Sequence, residues 1–97
     1  MSNAIIGLCV LELHLPEVIS LKGKRAILKS MLARLHNQFN VSASEISHLE
    51  KWQMAGIAVS TVSNSTSHTH KVMTSVLMFI EDNYPEAIIV NQEIEII

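Results

Sequence analysis

Between Ile5 and Leu15 the apolar residues run almost unbroken at first and then alternate, with Glu12 and His14 interleaved between Leu11, Leu13 and Leu15. A two-residue rhythm predicts a strand. Pro16 ends it, and Ser20 stands where its hydroxyl can accept a hydrogen bond from an unpaired amide of a first helical turn. From Leu21 to Phe39 the rhythm lengthens. Ile27, Leu28, Met31, Leu32, Leu35 and Phe39 recur at three- and four-residue spacing, which predicts an amphipathic helix. Asn40 suits a helix exit. Val41 to Ser47 then alternates weakly through Val41, Ala43 and Glu45, with Ile46 out of step, and predicts a second, shorter strand. Met54 to Ser63 is rich in small and β-branched residues without proline and predicts a third. Ser47 to Gln53, too short for a packed helix, connects the two. After the polar run Ser63 to Ser67, Val72, Val76, Leu77, Ile80 and Tyr84 mark a second helical face that Pro85 terminates. Ile88, Val90, Ile94 and Ile96 then alternate with Asn91, Glu93 and Glu95, which predicts a final strand with one buried and one polar side.

The order β-α-β-β-α-β predicts a ferredoxin-like α+β sandwich, two helices covering one face of a four-stranded antiparallel sheet. Its other face is left open. On the first strand Ile5, Cys9, Leu11 and Leu13 point one way and Ile6, Leu8 and Val10 the other, so both sides are apolar there. Uncovered, Ile6, Leu8 and Val10 form the kind of patch that marks an interface, and a homo-oligomer is expected to cover them.

Composition narrows the classes. A chain of 97 residues supports a single domain, placed at residues 5–97; residues 1–4 are expected to be a cloning scar or a disordered start. Apolar residues make up 48% and charged ones 16%, which excludes a disordered chain. Seven Lys and Arg stand against nine Asp and Glu, so a uniformly basic nucleic-acid coat is excluded while a local patch is not. Cys9 is the single cysteine, which excludes an intrachain disulfide and points to a cytoplasmic protein. The apolar run from Ala4 to Leu11 is too short to span a bilayer, so no membrane partner is expected.

Four segments resemble a known family. Leu11 to Pro16, Ser20 to Arg25, Phe39 to Ser42 and Trp52 to Ser60 follow, in order, the pattern of the YlxP-like family of small bacterial proteins, a domain of unknown function. The resemblance spans Ile5 to Ile94. Gly23 departs from it, standing where the family more often has an acid that would complement the helix dipole. The resemblance implies a ferredoxin-like fold, without an established activity, catalytic residues or cofactor. Genes of the family often lie beside those of a ribosome-binding factor and an initiation factor, which implies ribosome or RNA work as a theme.

Charge supplies the functional candidate. Lys22, Lys24, Arg25, Lys29 and Arg34 place five of the seven cations on the first helix. At about 100° per residue, Lys22, Arg25, Lys29 and His36 share the side opposite the apolar stripe. Such a ridge can hold phosphates by a salt-dependent, sequence-blind attraction, and Lys22, Lys24, Arg25, Lys29 and Arg34 are the expected nucleic-acid contacts. The plainer reading is a solvated helix face. Ferredoxin-like RNA modules stack bases on aromatics of their central strands, yet Phe39, Trp52, Phe79 and Tyr84 fall on helices, helix ends or a connection. Binding would therefore be by charge and shape. His68 and His70 would point about 160° apart on a helix, which argues against a shared metal. Cys9 reads as a buried hydrophobe, His14 as a hydrogen-bonded structural histidine, and Trp52 as a core plug or an interface anchor. No nucleophile elbow or glycine-rich phosphate loop occurs. The expected function is thus a non-enzymatic accessory module without cofactor or metal, ribosome- or RNA-associated through the basic helix. The alternative is a homo-oligomeric interaction module working through its apolar sheet face.

Overall fold

A computed structural model describes residues 3–97. The elements follow as β1 (Ile5–His14), α1 (Leu21–Gln38), β2 (Ser42–Ser47), β3 (Met54–Ser63), α2 (Thr66–Asn83) and β4 (Ile88–Ile96). One sheet of four strands runs in the order β2-β3-β1-β4, and its paired strands are antiparallel. This is the ferredoxin-like arrangement that the order of elements predicts. The expectation for Met1 and Ser2 lies outside the described residues.

Local chemistry sets the boundaries. Ser20 Oγ accepts from the Gly23 amide at 3.0 Å and opens α1, while Ser65 Oγ accepts from the His68 amide at 3.2 Å and opens α2. Pro85, next after the end residue Tyr84, stops α2. Between the sheet and the helices, Cys9, Leu11 and Leu13 of β1 meet Ala55, Ile57 and Val59 of β3, all fully buried, under Met31 and Leu35 of α1 and Met73, Val76 and Ile80 of α2. The two-residue rhythm of β1 thus becomes its division between core and open face.

Two irregularities interrupt the outer strands. In β2, Glu45 pairs with Ile57 and Ser47 with Gly56, so Ile46, the residue out of step in the alternation, is the extra residue of a bulge. In β4, Glu12 lies opposite Asn91 and Leu13 opposite Ile89, which makes Val90 extra. That bulge corrects the expectation for the last strand. Residues paired directly across a ladder share a face. Ile89, Ile94 and Ile96, opposite Leu13, Cys9 and Gly7, therefore lie on the helix side, while Ile88, opposite His14, lies on the open side. Ile88 and Val90 remain 49% and 52% exposed instead of lining a buried face.

Candidate functional site

The five cations expected to bind nucleic acid divide in the structure. Lys22, Arg25 and Lys29 are exposed on one side of α1, at positions i, i+3 and i+7. Arg25 lies 4.0 Å from Glu50, with both side chains largely in solvent, a pair too exposed to occupy the guanidinium. His36, on the same side, uses Nε2 to accept the Ala43 amide at 3.2 Å and ties the end of α1 to the start of β2.

Arg34 is committed elsewhere. Its guanidinium donates to Asn83 Oδ1 at 3.0 Å and Tyr84 Oη at 3.3 Å, and it lies 5.0 Å and 5.3 Å from the ring centroids of Phe79 and Tyr84. Ring contacts of this kind contribute about 0.5–1 kcal/mol each, so Arg34 ties the two helices together while its side chain stays exposed.

Lys24 is the larger correction. It is fully buried. Its ammonium donates to the carbonyls of His48 at 2.8 Å, Met54 at 3.1 Å and Leu49 at 3.4 Å, and lies 3.0 Å from Glu45 Oε2. Three donors meet three carbonyls, and Glu45 supplies the countercharge without a hydrogen bond of its own. Lys24 cannot reach a phosphate. It instead fixes the connection between β2 and β3, where His48 adopts φ 59° and the Lys51 amide donates to the His48 carbonyl at 3.0 Å. Gln53 Nε2 fastens the same connection to the carbonyls of Pro16 and Val18 at 3.2 and 3.1 Å. Held there, Leu49 and Trp52 are 50% and 52% exposed, so Trp52 is not a core plug.

The other candidate surface is the open sheet face. Across the ladders its rows read Ser42, Ser60, Leu8, Glu95; then Ser44, Ala58, Val10, Glu93; then Ser47, Gly56, Glu12, Asn91. Ile6 beside Val62 and His14 beside Met54 extend it at the two ends. No helix covers it. Leu8 and Val10 are half-buried by their neighbours on the sheet, and Ile6 is 39% exposed. A shallow depression of about 140 Å³, open to solvent, lies between Leu8, Ser42, Ser44, Ala58 and Ser60, where small side chains adjoin larger ones.

Other chemistry is sparse. Among the described residues no three His, Cys, Asp or Glu side chains gather as a metal site, and no helix is long and apolar enough to cross a membrane. His14 lies on the open face at the end of β1, and His48 Nε2 is 3.6 Å from Glu12 Oε1. Burial pushes the Cys9 thiol from 9.0 up to about 11, since the charged thiolate is poorly solvated in the core. Because this pKa is raised above its unfolded value, the neutral thiol favours the fold fully below pH 9, and that contribution fades as the pH rises toward 11. Native protein at pH 8 is accordingly expected to resist iodoacetamide, while protein in urea is alkylated at the rate of a free thiol; equal rates would show that Cys9 is accessible.

An α+β domain of ferredoxin-like type, with a basic helix face on one layer and an uncovered sheet on the other, is what these features define. The family model described as "Protein of unknown function (DUF503)" matches residues 6–94, and the chain belongs to that family. The "Uncharacterized protein YlxP" of Bacillus subtilis (strain 168) is 43% identical over 82 residues, covering 84% of this chain and 88% of the relative. Among solved structures, the de novo designed protein Foldit4 superposes with a TM-score of 0.54 at 10% identity over 97% of this chain and 96% of its own. A dimeric ferredoxin-like protein of unknown function from Thermobifida fusca YX gives a TM-score of 0.51 at 10% identity over 98% and 91%. Both share the fold.

Proposed function

We propose that this protein is a non-catalytic accessory module that contacts RNA, with the ribosome as the particle that the family's gene neighbourhood suggests. The observation carrying this reading is the set Lys22, Arg25 and Lys29, three exposed cations on one side of α1. They lie in a locally positive region. Residues 15–29 and 45–54 hold five cations and three acids, whereas the rest of the chain holds two cations and six acids. The first turn of α1 contains no acid, so the positive end of its dipole adds to the attraction. Three phosphate contacts predict a slope of about −2 in log affinity against log salt for single-stranded RNA. Filter binding with single-stranded and ribosomal RNA at rising salt tests this. Arg25→Glu and Lys29→Glu together are expected to abolish binding, and affinity indifferent to salt or to both changes would refute the reading.

A second reading is favoured by a separate observation, the uncovered strip of Ile6, Leu8 and Val10 beside Val62 and Ala58. On it the protein is a homo-oligomeric interaction module that buries its open sheet face. The neighbour from Thermobifida fusca, described as dimeric, supports the compatibility of this fold with a dimer.

A further inference from the structure

We infer that the open face pairs with a second copy of this chain about a two-fold axis parallel to the strands, placing β4 of each copy over β2 of the other. The inference rests on the self-association reading and adds the geometry to it. A face-to-face sheet dimer has two simple choices of axis. With the axis across the strands, β4 meets β4. With the axis along them, the order β2-β3-β1-β4 is met by its reverse, and residues at one level stay at that level.

Charge and shape select the same choice. The acids of the face lie on its β1 and β4 half, as Glu12, Glu93 and Glu95, whereas the β2 edge carries Ser42, Ser44 and Ser47. An axis across the strands stacks carboxylates on carboxylates. An axis along them brings Glu95 toward the partner's Ser42 and Glu93 toward the partner's Ser44, each hydroxyl able to donate to a carboxylate. The two Glu93 carboxylates then stand about 14 Å apart across the sheet width, beyond the Debye length of about 8 Å at physiological salt. The two Glu12, on the inner strand β1, instead come within about one strand spacing of each other over the partner's Gly56, each with His48 Nε2 of its own chain at 3.6 Å. Relief agrees with charge. The β2 and β3 half is low in its middle, built from Ser42, Ser44, Ala58, Ser60 and Gly56, and holds the 140 Å³ depression; the β1 and β4 half stands higher with Leu8, Val10, Glu93 and Glu95. The chosen axis sets the high half of each copy on the low half of the other. Four strands about 4.8 Å apart and nine residues along β1 offer about 500 Å² per copy, or about 1,000 Å² in all, near the lower limit for a specific interface, so a micromolar dimer is expected.

Sedimentation of the full chain from 1 to 100 µM measures the association. A species that stays monomeric throughout overturns the underlying reading, and with it this geometry. A dimer that Val10→Glu weakens more than tenfold, with unchanged circular dichroism, supports burial of the face. Cross-linking with a short bis-maleimide, its span matched to the spacing of about 10 Å between stacked sheets, then tests the axis. Cys9, buried, does not compete. Ser44→Cys mixed with Glu93→Cys is expected to form a mixed cross-linked dimer, while neither variant cross-links alone. Glu93→Cys linking to itself, or a dimer in which no mixed product forms, overturns the assignment while leaving self-association intact.

Discussion

Lys24→Met is expected to destabilise the fold by about 3–5 kcal/mol, read as a lower urea midpoint at unchanged slope. The side chain is fully buried, so methionine fills most of its volume, and the loss is electrostatic. Removing the ammonium leaves three carbonyls without their donor and Glu45, whose side chain is 17% exposed, without a countercharge. Glu45→Gln alone is expected to cost less, because the ammonium keeps its three carbonyls. In the double variant no unpaired carboxylate remains, and the two losses should fall short of their sum by about 1–3 kcal/mol. A Lys24→Met protein within 1 kcal/mol of the parent would show that the clamp contributes little. The structural cost is expected where the clamp acts, as faster amide exchange from His48 to Gln53, since these residues form no regular element of their own.

Gly7→Ala is expected to destabilise by about 2–3 kcal/mol and to be rescued by Thr69→Ser. A methyl group on Gly7 would run into Thr69 Cγ2 in the first turn of α2. Thr69 cannot simply rotate away. Its Oγ1 donates to the Ser65 carbonyl at 2.9 Å and lies 2.8 Å from Ser63 Oγ, so a new rotamer sacrifices both contacts. Serine keeps the hydroxyl and lacks the offending methyl. The Gly7→Ala/Thr69→Ser protein should therefore recover most of the lost stability in the same urea titration. If the double variant is no better than Gly7→Ala, the clash lies elsewhere, with Thr61 or Met73 as the next nearest side chains.

The architecture was legible because each element carries its own rhythm and its own stop signal. Ser20, Pro16, Pro85 and the run from Ser63 to Ser67 mark the boundaries that the caps and turns occupy. The basic ridge was legible in part. Lys22, Arg25 and Lys29 emerge where helical phase puts them, but counting cations also swept in the buried Lys24. Phase alone argues against Lys24, which is i−4 from Leu28, i−7 from Met31 and i−11 from Leu35, in line with the buried stripe. Glu45 likewise shares the alternation of Val41 and Ala43, so an inward acid and an inward cation were both written in the chain. Their meeting was not, because it depends on how α1 lies across the end of β2. The ties of Arg34 were hidden for the same reason, since Phe79 and Tyr84 reach it from the other helix or its end. The Val90 bulge leaves a trace in the sequence, where Ile88-Ile89-Val90 and Asn91-Gln92 break the alternation, but its place is fixed only where Leu13 finds Ile89.

The two bulges have a bearing on how this chain behaves in a crowded solution. Ile46 and Val90 sit in the rim strands β2 and β4, one on each border of the sheet. A straight rim offers a continuous row of unsatisfied amides and carbonyls to any extended polypeptide, the template on which fibrils grow. An added residue in each rim bends and twists that row out of line. Growth sideways is thereby discouraged at both borders, and contact with other molecules is turned toward the broad surfaces of the domain.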